Sequence, residues 1–321
     1  MITTRGLARS FKSGGQRIDA VKGVDIDVPA GEGVTLLGPN GAGKTTSFRM
    51  LTTLIRPTAG TATVAGHDLL ADPAGVRRRI GYVAQGGGTN GEHRVHEEIE
   101  LQGQLYGMSR AEARRRAGEV MEQLDLTELR KRLVKTLSGG QRRRLDIALG
   151  LVHSPPVVFL DEPTTGLDPQ SRAALWRRVH RLRSELGTTV FVTTHYLEEA
   201  DAFSDRVIII DHGRIIAEGT PEALKAKVAG HRVEITVPIE LIPSAVAVTE
   251  RLADASNLFV VGDSVRFQVP KADVMLPHLI RALDFAQIPT MSIQVVQPTL
   301  DDIFLLLTGR SFRDDANSTG M

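Results

Sequence analysis

The sequence predicts an α/β protein: an open, mostly parallel sheet interleaved with helices over residues 1–228, followed by a small α+β domain over 229–310. Three observations carry this. A mostly apolar run, 33–37, stops at a glycine-rich turn, and a helical stretch follows from Gly43. Apolar segments at 157–160, 188–192 and 206–210 alternate with helical stretches, the pattern of a parallel sheet with crossover helices. After about residue 228 the order of elements becomes β-α-β-β-α-β.

Each element has its own warrant. Val24, Ile26 and Val28 are separated by Asp25 and Asp27, the alternation of a half-buried strand. Residues 109–135 are rich in Arg and Glu, with Leu and Met at helical spacing, and read as helices. Leu145, Ala148 and Leu149 share one face of a helix over 141–151, and 173–186 is a further helix. In the second domain, Val233, Ile235 and Val237 alternate along 231–237. A helix is expected at 243–253. Strands at 258–261 and 264–269 are joined by Gly262-Asp263, a strong hairpin signal. Leu276, Leu279, Ile280 and Leu283 make a helical stripe, 292–296 a strand and 301–307 a last helix. This order predicts a ferredoxin-like split fold. The polar residues 311–321 are expected to be a disordered tail.

The bulk numbers narrow the function classes. The chain has 321 residues, 41% hydrophobic and 24% charged, enough for two domains with ordinary cores. It has no cysteine, so disulfides and thiolate metal sites are excluded. A net charge of +1 gives no general attraction to nucleic acid. No run of about 20 apolar residues is present, so a membrane role is expected to come through a partner. The start of the chain lacks the apolar core of a signal peptide.

Two motifs carry chemistry. Gly38-Pro39-Asn40-Gly41-Ala42-Gly43-Lys44-Thr45 fits G-x-x-x-x-G-K-[ST], with Thr46 continuing into the helix. Glycines let backbone N–H groups converge on one anion, and the helix N-terminus adds partial positive charge. Lys44 is placed to reach the β- and γ-phosphates of a nucleotide, and the Thr45 hydroxyl to ligate Mg2+. Taken alone, this loop fits kinases, GTPases, helicases and transporters equally. Residues 157–162 form an apolar strand ending in Asp161 and Glu162. Asp161 suits Mg2+ held through water, and Glu162 suits orienting or deprotonating the attacking water. A strand end before a helix cap would look the same.

Leu137-Ser138-Gly139-Gly140-Gln141, opening a helix about twenty residues before the acidic pair, decides among these. It is the signature of ABC ATPases, and over roughly its first 225 residues the chain resembles ABC transporter nucleotide-binding subunits. Gln85 ends a segment like the family's Q-loop. Gly166-Leu167-Asp168 resembles the D-loop, His195 the switch histidine, and Phe11 stands where the family places an adenine-stacking aromatic. The resemblance implies an ABC ATPase core with antiparallel β and helical subdomains, and ATP and Mg2+ as cofactors. It implies a head-to-tail dimer, most simply a homodimer, in which Ser138 and Gly140 complete the opposite subunit's site. It also implies that Thr45, Gln85 and Asp161 organise Mg2+ and that His195 contacts the γ-phosphate.

The whole chain resembles the daunorubicin/doxorubicin-resistance type of ATP-binding subunit, which carries a small extra domain ending near a Leu-x-Asp-x-Phe segment. Here that stretch runs from Pro298 through Leu300, Asp302 and Phe304 to Arg310. Export through a separate membrane permease, from the cytoplasmic face of the cell membrane, is thereby implied. The second domain is expected to stabilise the dimer rather than bind drug. Its few aromatic residues leave no obvious drug pocket. Rival readings are an ABC ATPase acting on ribosomes or DNA and a cytosolic drug-sequestering protein. One departure stands out: Gly86-Gly87-Gly88-Thr89-Asn90-Gly91 follows Gln85, near the surface expected to receive the permease. His93 and His96 with the nearby glutamates read as surface rather than a metal site. The arginine runs 114–116 and 142–144 read as solvated helix faces rather than nucleic-acid sites.

Overall fold

The computed structural model describes residues 1–227, 230–252 and 255–309. The expected tail at 311–321 lies outside them. Two compact units are present, one of residues 1–221 and a second beginning at Glu222.

The first unit is built on a six-stranded sheet. Its strand order is Arg214–Gly219, Arg206–Asp211, Gly33–Leu37, Thr189–Thr194, Val157–Asp161, Ile80–Val83. All neighbours are parallel except the first pair. Strands buried on both faces must be apolar throughout, which is why 157–160 reads as an unbroken run. Val157 and Phe159 enter one core, Val158 and Leu160 the other. Phe48, on the helix Lys44–Leu51, packs edge-on against Phe159 at 5.4 Å and lies 5.0 Å from Phe191. This aromatic trio clamps the helix that follows the glycine loop onto the sheet.

A second, antiparallel sheet runs in the order Gln16–Val24, Ile2–Ser13, Ala59–Val64, His67–Asp68, with Asp27–Val28 also paired to Ile2–Ser13. The strand expected at 24–28 is therefore split. Val24, Ile26 and Val28 are buried as their alternation required. The break arises because the Asp25 carboxylate accepts from the Gly6 N–H, and the Thr4 hydroxyl donates to the Val24 carbonyl and accepts from the Ile26 N–H.

Helices Val95–Leu105, Arg110–Gln123 and Gly139–Leu151 form a helical layer. The first was not anticipated. Its buried positions, Val95, Ile99 and Gly103, repeat every four residues, but the glycine hides the stripe. Pro169–Leu186 starts on an Asp168 cap with proline at its first position and ends at Gly187 in the left-handed region. Trp176 on this helix packs 4.5 Å from Phe203. The arginine runs correct an expectation. Arg143 is only 7% exposed, and Arg116 donates to the Val152 and Leu151 carbonyls. Both long side chains satisfy carbonyls inside the unit instead of facing solvent.

The second unit has a four-stranded antiparallel sheet in the order Ser256–Val261, Ser264–Val269, His231–Thr236, Ser292–Val296. Helices Ile242–Glu250 and Ala272–Phe285 contribute to a core with Val233, Ile235, Val265 and Phe267. The predicted β-α-β-β-α-β order and hairpin are both present, and the sheet order is that of the ferredoxin-like fold.

Candidate active site

The glycine loop joins Gly33–Leu37 to the helix Lys44–Leu51. Two of its glycines are sterically required. A Cβ on Gly38 would lie 2.4 Å from the Ile210 carbonyl oxygen. Gly43, at φ 106°, would bring one within 2.6 Å of the Ala20 carbonyl. The loop borders a cleft of about 220 Å3 lined by Ala20, Asn40, Gly41, Gly43, Lys44, Thr45, Thr46, Gln85 and Glu162.

Lys44 is buried. Its ammonium donates to the Gly38 and Pro39 carbonyls and lies 3.4 Å from Glu162 Oε1. Burial pulls its pKa below the usual lysine value, with Glu162 opposing. Thr45 Oγ1 is 3.3 Å from Asp161 Oδ1, and Thr193 Oγ1 donates to the same oxygen at 2.6 Å. Burial holds the Asp161 pKa up, against the hydrogen bond from Thr193.

Glu162 is the hub. Gln85 Nε2 donates to its Oε2 at 3.0 Å and Thr165 Oγ1 at 3.3 Å. His195 Nδ1 lies 3.2 Å from Oε2, off the line of a hydrogen bond. Burial pushes the Glu162 pKa up, but His195 and Lys44 together outweigh it, so the net shift is downward. The backbone of Glu162 is left-handed at φ 43° and is held by its N–H donating to Thr193 O and Oγ1. An ionised carboxylate, an amide, a hydroxyl pair and a lysine thus converge beside a loop of glycine amides. That set can hold a triphosphate and activate a water.

The remaining predicted residues lie elsewhere. None of Ser138, Gly139, Gly140 and Gln141 is among the residues lining the cleft. Ser138 and Gly139 are exposed. Ser138 caps the helix Gly139–Leu151 in a reciprocal box, its hydroxyl accepting from the Gln141 N–H and its own N–H donating to Gln141 Oε1. Asp168, exposed, caps its helix by accepting from Ser171, which lowers its pKa. Phe11 is 36% exposed, with the Arg9 guanidinium 4.7 Å from its ring centre. His93 pairs with Glu98 at 2.6 Å, and His96 meets the Arg130 carbonyl at 2.8 Å.

Three contributors escaped the sequence reading: Ala20, which walls the cleft, Thr193, and Arg143. Thr193 could have been found only from the sheet register, which pairs it with Asp161 across neighbouring strands.

Comparisons with known proteins identify the family. Residues 21–165 match the ABC transporter family model, and residues 219–308 match the DrrA1-3-like ATP-binding protein C-terminal domain. The chain is 44% identical to the doxorubicin resistance ATP-binding protein DrrA of Mycobacterium tuberculosis, over 96% of this chain and 93% of that protein. It is 42% identical to the daunorubicin/doxorubicin resistance ATP-binding protein DrrA of Streptomyces peucetius, over 98% and 94%. Among solved structures it resembles a dimeric, post-hydrolysis ATP-binding cassette bound to ADP and Pi. The TM-score is 0.63 at 29% identity, covering 68% of this chain and 98% of that one. With this site and these relatives along nearly its full length, the chain belongs to the ABC transporter ATP-binding proteins of the daunorubicin/doxorubicin-resistance type, and it is a transport-coupled ATPase.

Proposed function

We propose that this ATPase drives export of a drug-like, hydrophobic or amphipathic cargo through a separate membrane permease, docked at the cytoplasmic face of the cell membrane. The observation that carries the enzymatic part is the convergence of Lys44, Gln85 and His195 on the Glu162 carboxylate at the glycine-loop cleft. The cargo class follows the relatives, whose names specify doxorubicin and daunorubicin resistance. Among the described residues no helix is long and apolar enough to cross a membrane, so the path for cargo is assigned to the partner. Residues 1–228 serve as the ATPase domain and 229–310 as the accessory, dimer-stabilising domain.

The working unit is a head-to-tail dimer. Ser138 and Gly140 do not line their own chain's cleft, and the related cassette is dimeric. Lys44 and the loop over residues 38–46, through its backbone N–H groups at every position but Pro39, hold the phosphates. Phe11 stacks on the adenine, and Asp168 lies at the subunit junction. Glu162, kept ionised by His195 and Lys44, orients the attacking water and takes its proton. His195 contacts the γ-phosphate, and Ser138 and Gly140 of the partner subunit close over it with the helix dipole behind them. Thr45, Gln85 and Asp161 offer the hard oxygen donors that suit Mg2+, and the 3.3 Å approach of Thr45 Oγ1 to Asp161 Oδ1 fits such a site. Bound there, Mg2+ supplies charge neutralisation on the phosphate oxygens.

Glu162→Gln tests this reading. The variant should bind ATP while losing hydrolysis by roughly two orders of magnitude or more. Purified with ATP and Mg2+ from gently solubilised membranes of its host, it should bring down a stoichiometric multi-spanning protein. Near-normal ATPase activity would sink the role of Glu162. Recovery of ribosomal or DNA-repair proteins without any membrane protein would replace the exporter by a soluble ABC ATPase.

A further inference from the structure

Helix Gly139–Leu151 carries more than the signature at its start. One turn in, Arg143 is buried between the exposed Arg142 and the half-buried Arg144. Its guanidinium donates to three carbonyls. Nη1 reaches Ala84 O at 2.6 Å, Nη2 reaches Asp161 O at 3.1 Å, and Nε reaches Pro163 O at 2.7 Å. These acceptors bracket the catalytic groups: Ala84 precedes Gln85, and Asp161 and Pro163 flank Glu162.

Further contacts from the same helix reach the glycine run after Gln85. Arg142 Nε donates to Thr89 Oγ1 at 3.2 Å. Gly87, at φ 67°, packs so closely that a Cβ there would lie 3.1 Å from an Asp146 carboxylate oxygen. Asp146 in turn lies 3.8 Å from Arg143. The signature helix therefore grips the Gln85 segment at 84, 87 and 89, and the Glu162 turn from both sides.

We infer that Arg143 couples the two ATP sites of the dimer, by making the helix that closes on the partner's ATP and the Gln85–Glu162 pair that serves its own ATP move as one body. This rests on the head-to-tail reading above. Arginine suits the task because its planar fork offers five donors in fixed directions, whereas lysine offers one compact head that cannot span three carbonyls. The bonds are charge-assisted and shielded from water, so the joint is stiff. Arg143 is not among the residues lining the glycine-loop cleft and acts through the carbonyls it holds, as a positioning residue.

The test compares the parent full chain with Arg143→Met and with the milder Arg143→Lys, measuring ATP affinity, kcat and the Hill coefficient of hydrolysis. Displacing catalytic groups by about an ångström can cost ~100-fold in rate, so Arg143→Met should lose kcat on that order while ATP affinity stays within about threefold. The parental Hill coefficient, bounded by the two sites, should fall to about 1. Arg143→Lys should fold, rescue part of kcat and keep a reduced cooperativity. A merely structural arginine would lower the melting temperature and leave the Hill coefficient alone. A parent that hydrolyses ATP without cooperativity overturns the coupling role, as do variants that keep the parental kcat and Hill coefficient. A parent that hydrolyses no ATP, or whose rate survives Glu162→Gln, points instead to failure of the underlying enzymatic reading.

Discussion

At the scale of single residues, the ATP site is a set of side chains held by neighbours that do no chemistry themselves. Thr193 shows this most clearly. Its hydroxyl donates to Asp161 Oδ1 at 2.6 Å and accepts from the Glu162 N–H at 3.0 Å. One hydroxyl therefore holds the Asp161 carboxylate and the backbone that carries Glu162. Thr193→Val should raise the Mg2+ concentration for half-maximal ATPase about 10-fold or more, as loss of outer partners does at metal sites. A titration of activity against Mg2+ checks this, and an unchanged midpoint would mean that Asp161 is aimed by the strand alone. Lys44, Thr45, Gln85, Asp161, Glu162 and His195 were legible in the sequence because their motifs are contiguous or lie at strand ends. Thr193 and Arg143 were not. A threonine in a strand and an arginine in a run of three look ordinary until register and burial are known.

At the scale of elements, identical local chemistry serves different ends. Ser109 and Ser138 each open a helix with a reciprocal box, Ser109 with Glu112 and Ser138 with Gln141. Replacing either serine by alanine should cost about 1 kcal/mol of stability through the lost cap. Only Ser138→Ala should also cut ATP hydrolysis, because only Ser138 is assigned a contact to the partner's nucleotide. Melting curves and turnover on the two variants separate the effects. Equal activity in both would reduce the signature serine to a cap. The main strands were readable because burial on two faces demands continuous apolar runs. Val95–Leu105 was not readable, since Gly103 replaces a side chain in its stripe. The 24–28 strand was half-readable, because its alternation predicts burial but not the Thr4 and Asp25 hydrogen bonds that interrupt it.

For the whole molecule, the two units own separate cores. ATP binds the first unit, so mass action should stabilise that unit alone. Free ATP at 100 times Kd adds about 2.7 kcal/mol to the unit that binds it. Calorimetry should then show one transition that ATP moves upward and another that it leaves in place. One transition shifting as a body would show the units melting together. The change of pattern near residue 228 led to the expectation of a second domain, whereas the second compact unit begins at Glu222. The hairpin at Gly262-Asp263 marked two of its strands as antiparallel. Which strands neighbour one another in the six-stranded sheet was not written locally, since parallel neighbours there come from distant segments.

The packing of Trp176 against Phe203 has a practical consequence. Trp176 is the chain's single tryptophan, and Tyr82, Tyr106 and Tyr196 are its three tyrosines. All four fall within residues 1–221, so the second unit is nearly dark to ultraviolet emission. Intrinsic fluorescence will follow the ATPase unit and pass over the accessory one. A protein judged intact by its emission spectrum can still have lost its C-terminal fold.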